Sequence, residues 1–145
     1  MHMDDFGQAY VVDAVKRSKD RISTVTNLNL LLLALHEVPT AFMHVHAEFQ
    51  NHQKVVAKAV ACQGTLLQYA SPAMQADREI ASIAIQQDPR ALACVSEELR
   101  DDRELVLLAL QQGPEALRYA SLRLREDFDL VLSAVQQNGF SIQYA

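Results

Sequence analysis

Residues 77–96 read DREIASIAIQQDPRALACVS, and residues 102–121 read DRELVLLALQQGPEALRYAS. The second stretch is the first moved on by 25 positions, with Asp, Arg, Glu, two Gln, Pro and Ser in matching places. Working outward, the central alanine recurs as Ala34, Ala59, Ala84, Ala109 and Ala134, and a weaker copy surrounds Ala14. Four positions before the alanine stand Leu30, Val55, Ile80, Leu105 and Leu130. Five after it stand Pro39, Gly64, Pro89, Pro114 and Gly139, and eight after it Phe42, Leu67, Leu92, Leu117 and Ile142. Helix breakers in one column and apolar residues in the others define a tandem repeat.

Each unit reads as a helix, a tight turn and a second short helix. Asp77, Asp102 and Asp127 are suited to cap the first helix, because their side-chain oxygens can accept from the free N–H groups of its first turn. Glu79, Glu104 and Asp129 follow where a carboxylate suits the helix dipole. The apolar positions at i, i+1, i+4 and i+5 make a broad buried stripe. The Pro or Gly column ends this first helix. Ser71, Ser96 and Ser121 then predict the cap of a one-turn third helix carrying Met74, Leu99 or Leu124. One unit alone has too little apolar surface to be stable, so neighbours must stack. The expectation is an all-α fold: a short α-solenoid of 25-residue helix-turn-helix repeats. Residues 1–145 form one helical-repeat domain, with a degenerate N-terminal cap at 1–26. Its repeats fall at about 27–51, 52–76, 77–101, 102–126 and 127–145.

Composition agrees and excludes several functions. Half of the 145 residues are hydrophobic, 21% are charged, and Gly and Pro are few. Net charge is −5, distributed as −2, 0 and −3 over residues 1–50, 51–100 and 101–145, so no segment is basic enough for general nucleic-acid binding. The longest apolar run, Leu30–Leu35, is far short of the ~18–20 residues of a membrane span. The acidic N-terminus does not resemble a signal peptide. Two cysteines, Cys62 and Cys94, make no disulfide framework and point to a reducing, cytoplasmic setting.

The final unit, Ala134-Val135-Gln136-Gln137-Asn138-Gly139-Phe140-Ser141-Ile142-Gln143-Tyr144-Ala145, resembles a tandem-repeat domain-of-unknown-function family whose units read roughly AVxQNGxALxYAS. Glu115-Ala116-Leu117-Arg118-Tyr119-Ala120-Ser121 is similar. The resemblance covers residues 52–145 well, 27–51 loosely and 1–26 poorly. It implies a helical repeat fold in a family of uncharacterised bacterial and protist proteins. For effector-type members it also implies delivery into a host cell. It carries no activity, ligand or catalytic residue.

The candidate binding residues are Gln86, Gln111 and Gln136, two places after the alanine, which stacking would set out as a ladder. Amides both donate and accept, so such a ladder could hold the backbone of an extended peptide. The plainer reading is a solvated or self-bonded row of helix formers. The adjacent row, Gln87, Gln112 and Gln137, points about 100° further round and serves as its comparison. Phe128 replaces Arg78 and Arg103 in a column that otherwise reads as exposed, and Phe140 stands in another. Both suit a docking patch or an end cover. Tyr69, Tyr119 and Tyr144, with Cys94 and His44 in the same column, read as inter-repeat core.

His36, His44, His46 and His52 cluster in sequence but lack the i, i+4 spacing of a preorganised zinc pair, so no metal or other cofactor is expected. His44, His46 and His52 instead take the Tyr, Ser and Asp columns of a divergent repeat. Lys16, Arg17, Lys19 and Arg21, flanked by Asp13 and Asp20, read as a solvated N-terminal helix. An enzyme built on Cys62 and the histidines is the weakest reading, since no nucleophile motif surrounds either thiol. The expected function is non-enzymatic: a protein-protein interaction module whose partner is a protein or extended peptide. The alternative is a structural or self-association domain, pairing through the solenoid end that the sequence leaves uncovered after Tyr144.

Overall fold

The computed structural model describes residues 5–17, 22 and 25–137, and among these every regular element is a helix. Helix α1 spans Asp5–Arg17 and packs on α2, Leu28–Glu37. The units then follow one plan, with one-turn α3 at Ala47–Gln50, long α4 at Gln53–Cys62, one-turn α5 at Pro72–Gln75 and long α6 at Arg78–Gln87. One-turn α7 at Glu97–Arg100, long α8 at Arg103–Gln112, one-turn α9 at Leu122–Arg125 and long α10 at Phe128–Gln137 complete the series. Between each long helix and the one-turn helix after it lies a six-residue 3-10 helix: Pro39–His44, Gly64–Tyr69, Pro89–Cys94 and Pro114–Tyr119. Long helices stack on long helices and 3-10 segments on 3-10 segments, so the all-α repeat solenoid has two layers.

The starts are set by the capping columns. Asp77 Oδ1 accepts from the N–H groups of Glu79 at 2.9 Å and Ile80 at 3.0 Å. Asp102 Oδ1 does the same for Glu104 and Leu105, and Asp127 Oδ1 accepts from Leu130. Ser71, Ser96 and Ser121 cap the one-turn helices through their hydroxyls, and His46 takes that place with Nδ1. His52 stands in the Asp column but accepts no cap bond, and its Nδ1 is buried without a partner. An imidazole held off the helix start cannot do what a short carboxylate does there.

The Pro and Gly column plays a different part from the one its spacing predicts. The long helix stops at the residue before an extended link, Gln63, Asp88 or Gly113, and Pro89 or Pro114 is already the first residue of the next segment. Proline restricts its predecessor to extended backbone and pre-sets its own φ. The 3-10 segment therefore starts at once, closing i→i+3 bonds such as Ala91 N to Asp88 O at 2.9 Å. Gly64 has no left-handed backbone. Its reason is contact: a Cβ there would lie 2.3 Å from the Ala84 carbonyl oxygen of the next long helix.

The core runs the length of the stack. Ala34, Ala59, Ala84 and Ala109 are wholly buried where successive long helices meet, and Phe42, Leu67, Leu92 and Leu117 fill the layer between them and the 3-10 segments. Tyr69, Tyr119 and Cys94 pack at its edge, with the Arg118 guanidinium 5.4 Å above the Tyr119 ring. Tyr144 lies outside the described residues. Neighbouring units are also stitched by polar bonds that spacing alone does not suggest. Ser71, Ser96 and Ser121 donate their backbone N–H to the carbonyls of Gln50, Gln75 and Arg100, each 2.9–3.0 Å. Arg78 Nε pairs with Asp102 at 2.9 Å, and Arg103 pairs with Asp127 at 2.5 Å. At the N-terminal end Lys16 bridges to Glu37 at 2.9 Å and Arg17 to Asp13 at 2.7 Å, whereas Lys19, Asp20 and Arg21 lie outside the described residues.

Gly64→Ala should lower the urea midpoint by an amount worth about 1–3 kcal/mol, because backbone must move to admit the methyl group. Gly113→Ala should cost less, since the atoms in the way belong to the flexible Glu115 carboxylate. Equal effects would show that the Gly64 junction is compliant.

Several capping and stitching carboxylates sit below their ordinary range. Asp88 is lowered by its bond from Arg90, Asp101 by Arg123 and then Ser121, and Asp127 by the Leu130 N–H and then Arg103. For Asp102, burial pushes upward, but the Arg78 guanidinium and the Leu105 and Glu104 N–H groups outweigh it. A depressed folded-state pKa contributes stability above the unfolded value of about 3.9 and loses it as pH falls through the folded value. Unfolding midpoints measured from pH 6 downward should therefore hold steady to about pH 4 and then drop. A flat profile to pH 2 would show that these carboxylates contribute nothing.

Candidate protein-docking face

The outer side of each long helix carries the residues five, two and one before the alanine and the residue two after it, which helical geometry places on one face. On α6 these are Glu79, Ser82, Ile83 and Gln86, and on α8 Glu104, Leu107, Leu108 and Gln111. Ile83, Leu107 and Leu108 pack against the core with one flank and show the other to solvent. Leu33 on α2 and Leu132 on α10 are 37% and 42% exposed. The face is thus a row of half-open apolar side chains along the stack.

Gln86, Gln111 and Gln136 border that row and are all exposed. The adjacent Gln87 and Gln112 are exposed as well but differ in having bonded side chains. Gln87 Oε1 accepts from the backbone N–H of Gly64 at 2.5 Å, and Gln112 Nε2 donates to the carbonyl of Gln86 at 2.8 Å. Both reach back from one long helix to the unit before it. The row expected to be a comparison surface is therefore a stitch, because its side chains point toward the orphan groups at a neighbouring helix end. Gln137 closes α10, and its side chain lies outside the described set. The stitch also fixes the C-terminal ends of α6 and α8 side by side, which makes Gln86 and Gln111 neighbours across one helix spacing.

Phe128 is 75% exposed at the start of α10. Its column explains why it is bare: Arg78 and Arg103 fold over the cap of the next unit, whereas a phenyl ring has no bond to make there. Phe140 lies outside the described residues. Sequence reasoning missed a groove between α2 and α4, floored by Leu32, Leu33 and Ala57 and rimmed by His36, Lys54 and Lys58, with a volume of about 580 Å³. The readable signal was a charge reversal. The column five before the alanine runs Asn29, Lys54, Glu79, Glu104, Asp129, and α4 alone makes it basic.

Neither thiol forms a disulfide, and both are half-buried. Burial pushes the Cys94 thiol up, and its Sγ lies 3.8 Å from the Thr65 carbonyl, so it stays protonated near neutral pH. Among the described residues no three His, Cys, Asp or Glu side chains gather as a metal site. Nor is any described helix long and apolar enough to cross a membrane.

A family model described as a domain of unknown function (DUF4116) matches the chain twice in tandem, at residues 52–100 and 102–145. Each match spans two of the 25-residue units, and together they cover more than half of the chain. No curated protein and no solved structure matches it.

The two glutamine rows should separate on substitution. Gln87→Ala and Gln112→Ala should each cost about 0.5–1.5 kcal/mol of stability, the net worth of one hydrogen bond, whereas Gln86→Ala and Gln111→Ala should be close to neutral. Thermal melts of the four single variants decide it, and equal losses in both rows would remove the distinction.

Proposed function

We propose that this chain, which belongs to the DUF4116 family of domains of unknown function, is a protein-protein interaction module. It binds a protein or extended peptide along the outer face of its stacked long helices. The observation that carries the reading is the pairing of exposed Gln86, Gln111 and Gln136 with the half-open row of Ile83, Leu107, Leu108 and Leu132. The face sets uncharged amides and apolar flanks side by side with Glu79 and Glu104. Here the apolar row supplies area, and the amides supply directed bonds to a partner's backbone. Phe128 extends the same face as an aromatic anchor.

Cys94, half-buried and with its thiol pushed up by burial, is not poised as a nucleophile. Two free thiols favour action inside a reducing, cytoplasmic compartment.

The test is capture with a photo-crosslinker placed at Ser82 on the proposed face and, as a control, at Gln68 on the 3-10 layer. A specific product from the first position alone is expected. Replacing Gln86, Gln111 and Gln136 together by Ala keeps helix propensity high, so melting should be unchanged. Affinity for the captured partner should fall by about 1–3 kcal/mol over the set. Unchanged affinity would reject the strip.

A further inference from the structure

The α2–α4 groove has a built-in charge preference. Lys54 and Lys58 lie one turn apart on α4, beside the apolar floor, and neither forms an ion pair among the described residues. The floor is open because α4 presents Ala57 where α2, α8 and α10 present Leu32, Leu107 and Leu132. The groove thus suits a helix that offers large apolar side chains one turn apart with a carboxylate next to them.

The same face carries such a helix at its other end. On α10, Phe128 and Leu132 are spaced i, i+4 and are 75% and 42% exposed, and exposed Asp129 lies beside them. Asp129 occupies the α10 position that Lys54 occupies on α4, three long helices away. The two ends of this surface, basic and hollow at one and acidic and protruding at the other, are complementary after a two-fold rotation, and at its centre Glu79 of one copy faces Glu104 of the other, which Arg78 already pairs. Rotation about an axis parallel to the helices, between α6 and α8, brings α4 opposite α10 at both ends. It sets the apolar row of one copy against that of the other.

Resting on the reading of this face as a docking surface, we propose that its occupant is a second copy of the chain. The α10 helix of each copy seats in the α2–α4 groove of the other. Phe128 and Leu132 fill the space left by Ala57, and Asp129 meets Lys54 and Lys58. Two equal contacts close the assembly, so it stops at a dimer.

Light scattering after size exclusion of the full chain at about 100 μM, well above a micromolar Kd, should give twice the 16.2 kDa chain mass. The double variant Lys54→Glu with Lys58→Glu sets carboxylate against carboxylate, and Asp129→Lys sets ammonium against ammonium. Each should weaken its own dimer about tenfold or more, because like charges oppose across the contact. An equimolar mixture of the two variants should regain the dimer, since both ends are then complementary. Phe128→Ser, at an exposed position, should weaken the dimer without lowering the melting temperature measured well below the Kd, where the chain is monomeric, which keeps the test independent of folding in the charge variants.

Three results would overturn the proposal: a wild-type monomer at that concentration, a dimer indifferent to both charge variants, or a mixture that stays monomeric. A monomer that still loses a captured partner on the triple glutamine substitution would overturn self-pairing while the docking face stands. A dimer that behaves as expected, with capture indifferent to the glutamines, would uphold self-pairing and remove only the glutamine strip.

Discussion

The stack depends on how closely one long helix can approach the next. At the crossing point the helices from α2 to α8 each offer an alanine with no exposed surface, and the 3-10 segment that follows α4 lies so near α6 that only a glycine fits against the Ala84 carbonyl. Helices that meet through small residues sit near the short end of the usual 8–10 Å spacing. Their backbone ends then come within reach of side chains from the adjoining unit. Gln87 and Gln112, the serine N–H groups and the Arg78 and Arg103 guanidinium groups all exploit that reach. Larger residues in the alanine column would separate those donors from their acceptors as well as overfill the core.

Much of this was readable because single residues act locally. An aspartate three residues ahead of an apolar pair caps a helix whatever lies across the interface, and a serine ahead of a one-turn helix does the same. The repeat period, the all-helical class and the long helix in each unit therefore followed from columns. The exact nature of the second segment did not, because a 3-10 helix and a short α-helix share composition. The choice between them depends on the extended link at Asp88 or Gly113 and on packing against the next unit. His52 shows the limit from the other side, since its column predicts a role that its side chain does not perform.

The surface was harder to read because identical residues in adjacent columns can be left to solvent or bonded to the unit before. Gln86 and Gln87 are adjacent, chemically identical and both exposed, yet only the Gln87 side chain is bonded, to the Gly64 N–H. Only the position of the neighbouring helix end separates them. Phe128 stood out in sequence because it follows Arg78 and Arg103 in its column, and unlike them it makes no ion pair across to another unit. The α2–α4 groove announces itself in sequence only through a charge reversal and the small Ala57 on α4. Its depth depends on what the adjacent helix puts beside it.

The bonds between units have one further implication, which concerns the gene. Each polar stitch joins a unit to its immediate neighbour, across 20 to 26 positions of chain. An in-frame duplication of 25 codons at any equivalent junction therefore gives both new boundaries the partners they already had. The product is longer by one helix spacing, about 8–10 Å, with its outer apolar row continued. A duplication of 24 or 26 codons would put the bonds across its own junction out of register, while each downstream unit keeps its own caps. Length in this architecture can change by whole units and resists change by anything smaller.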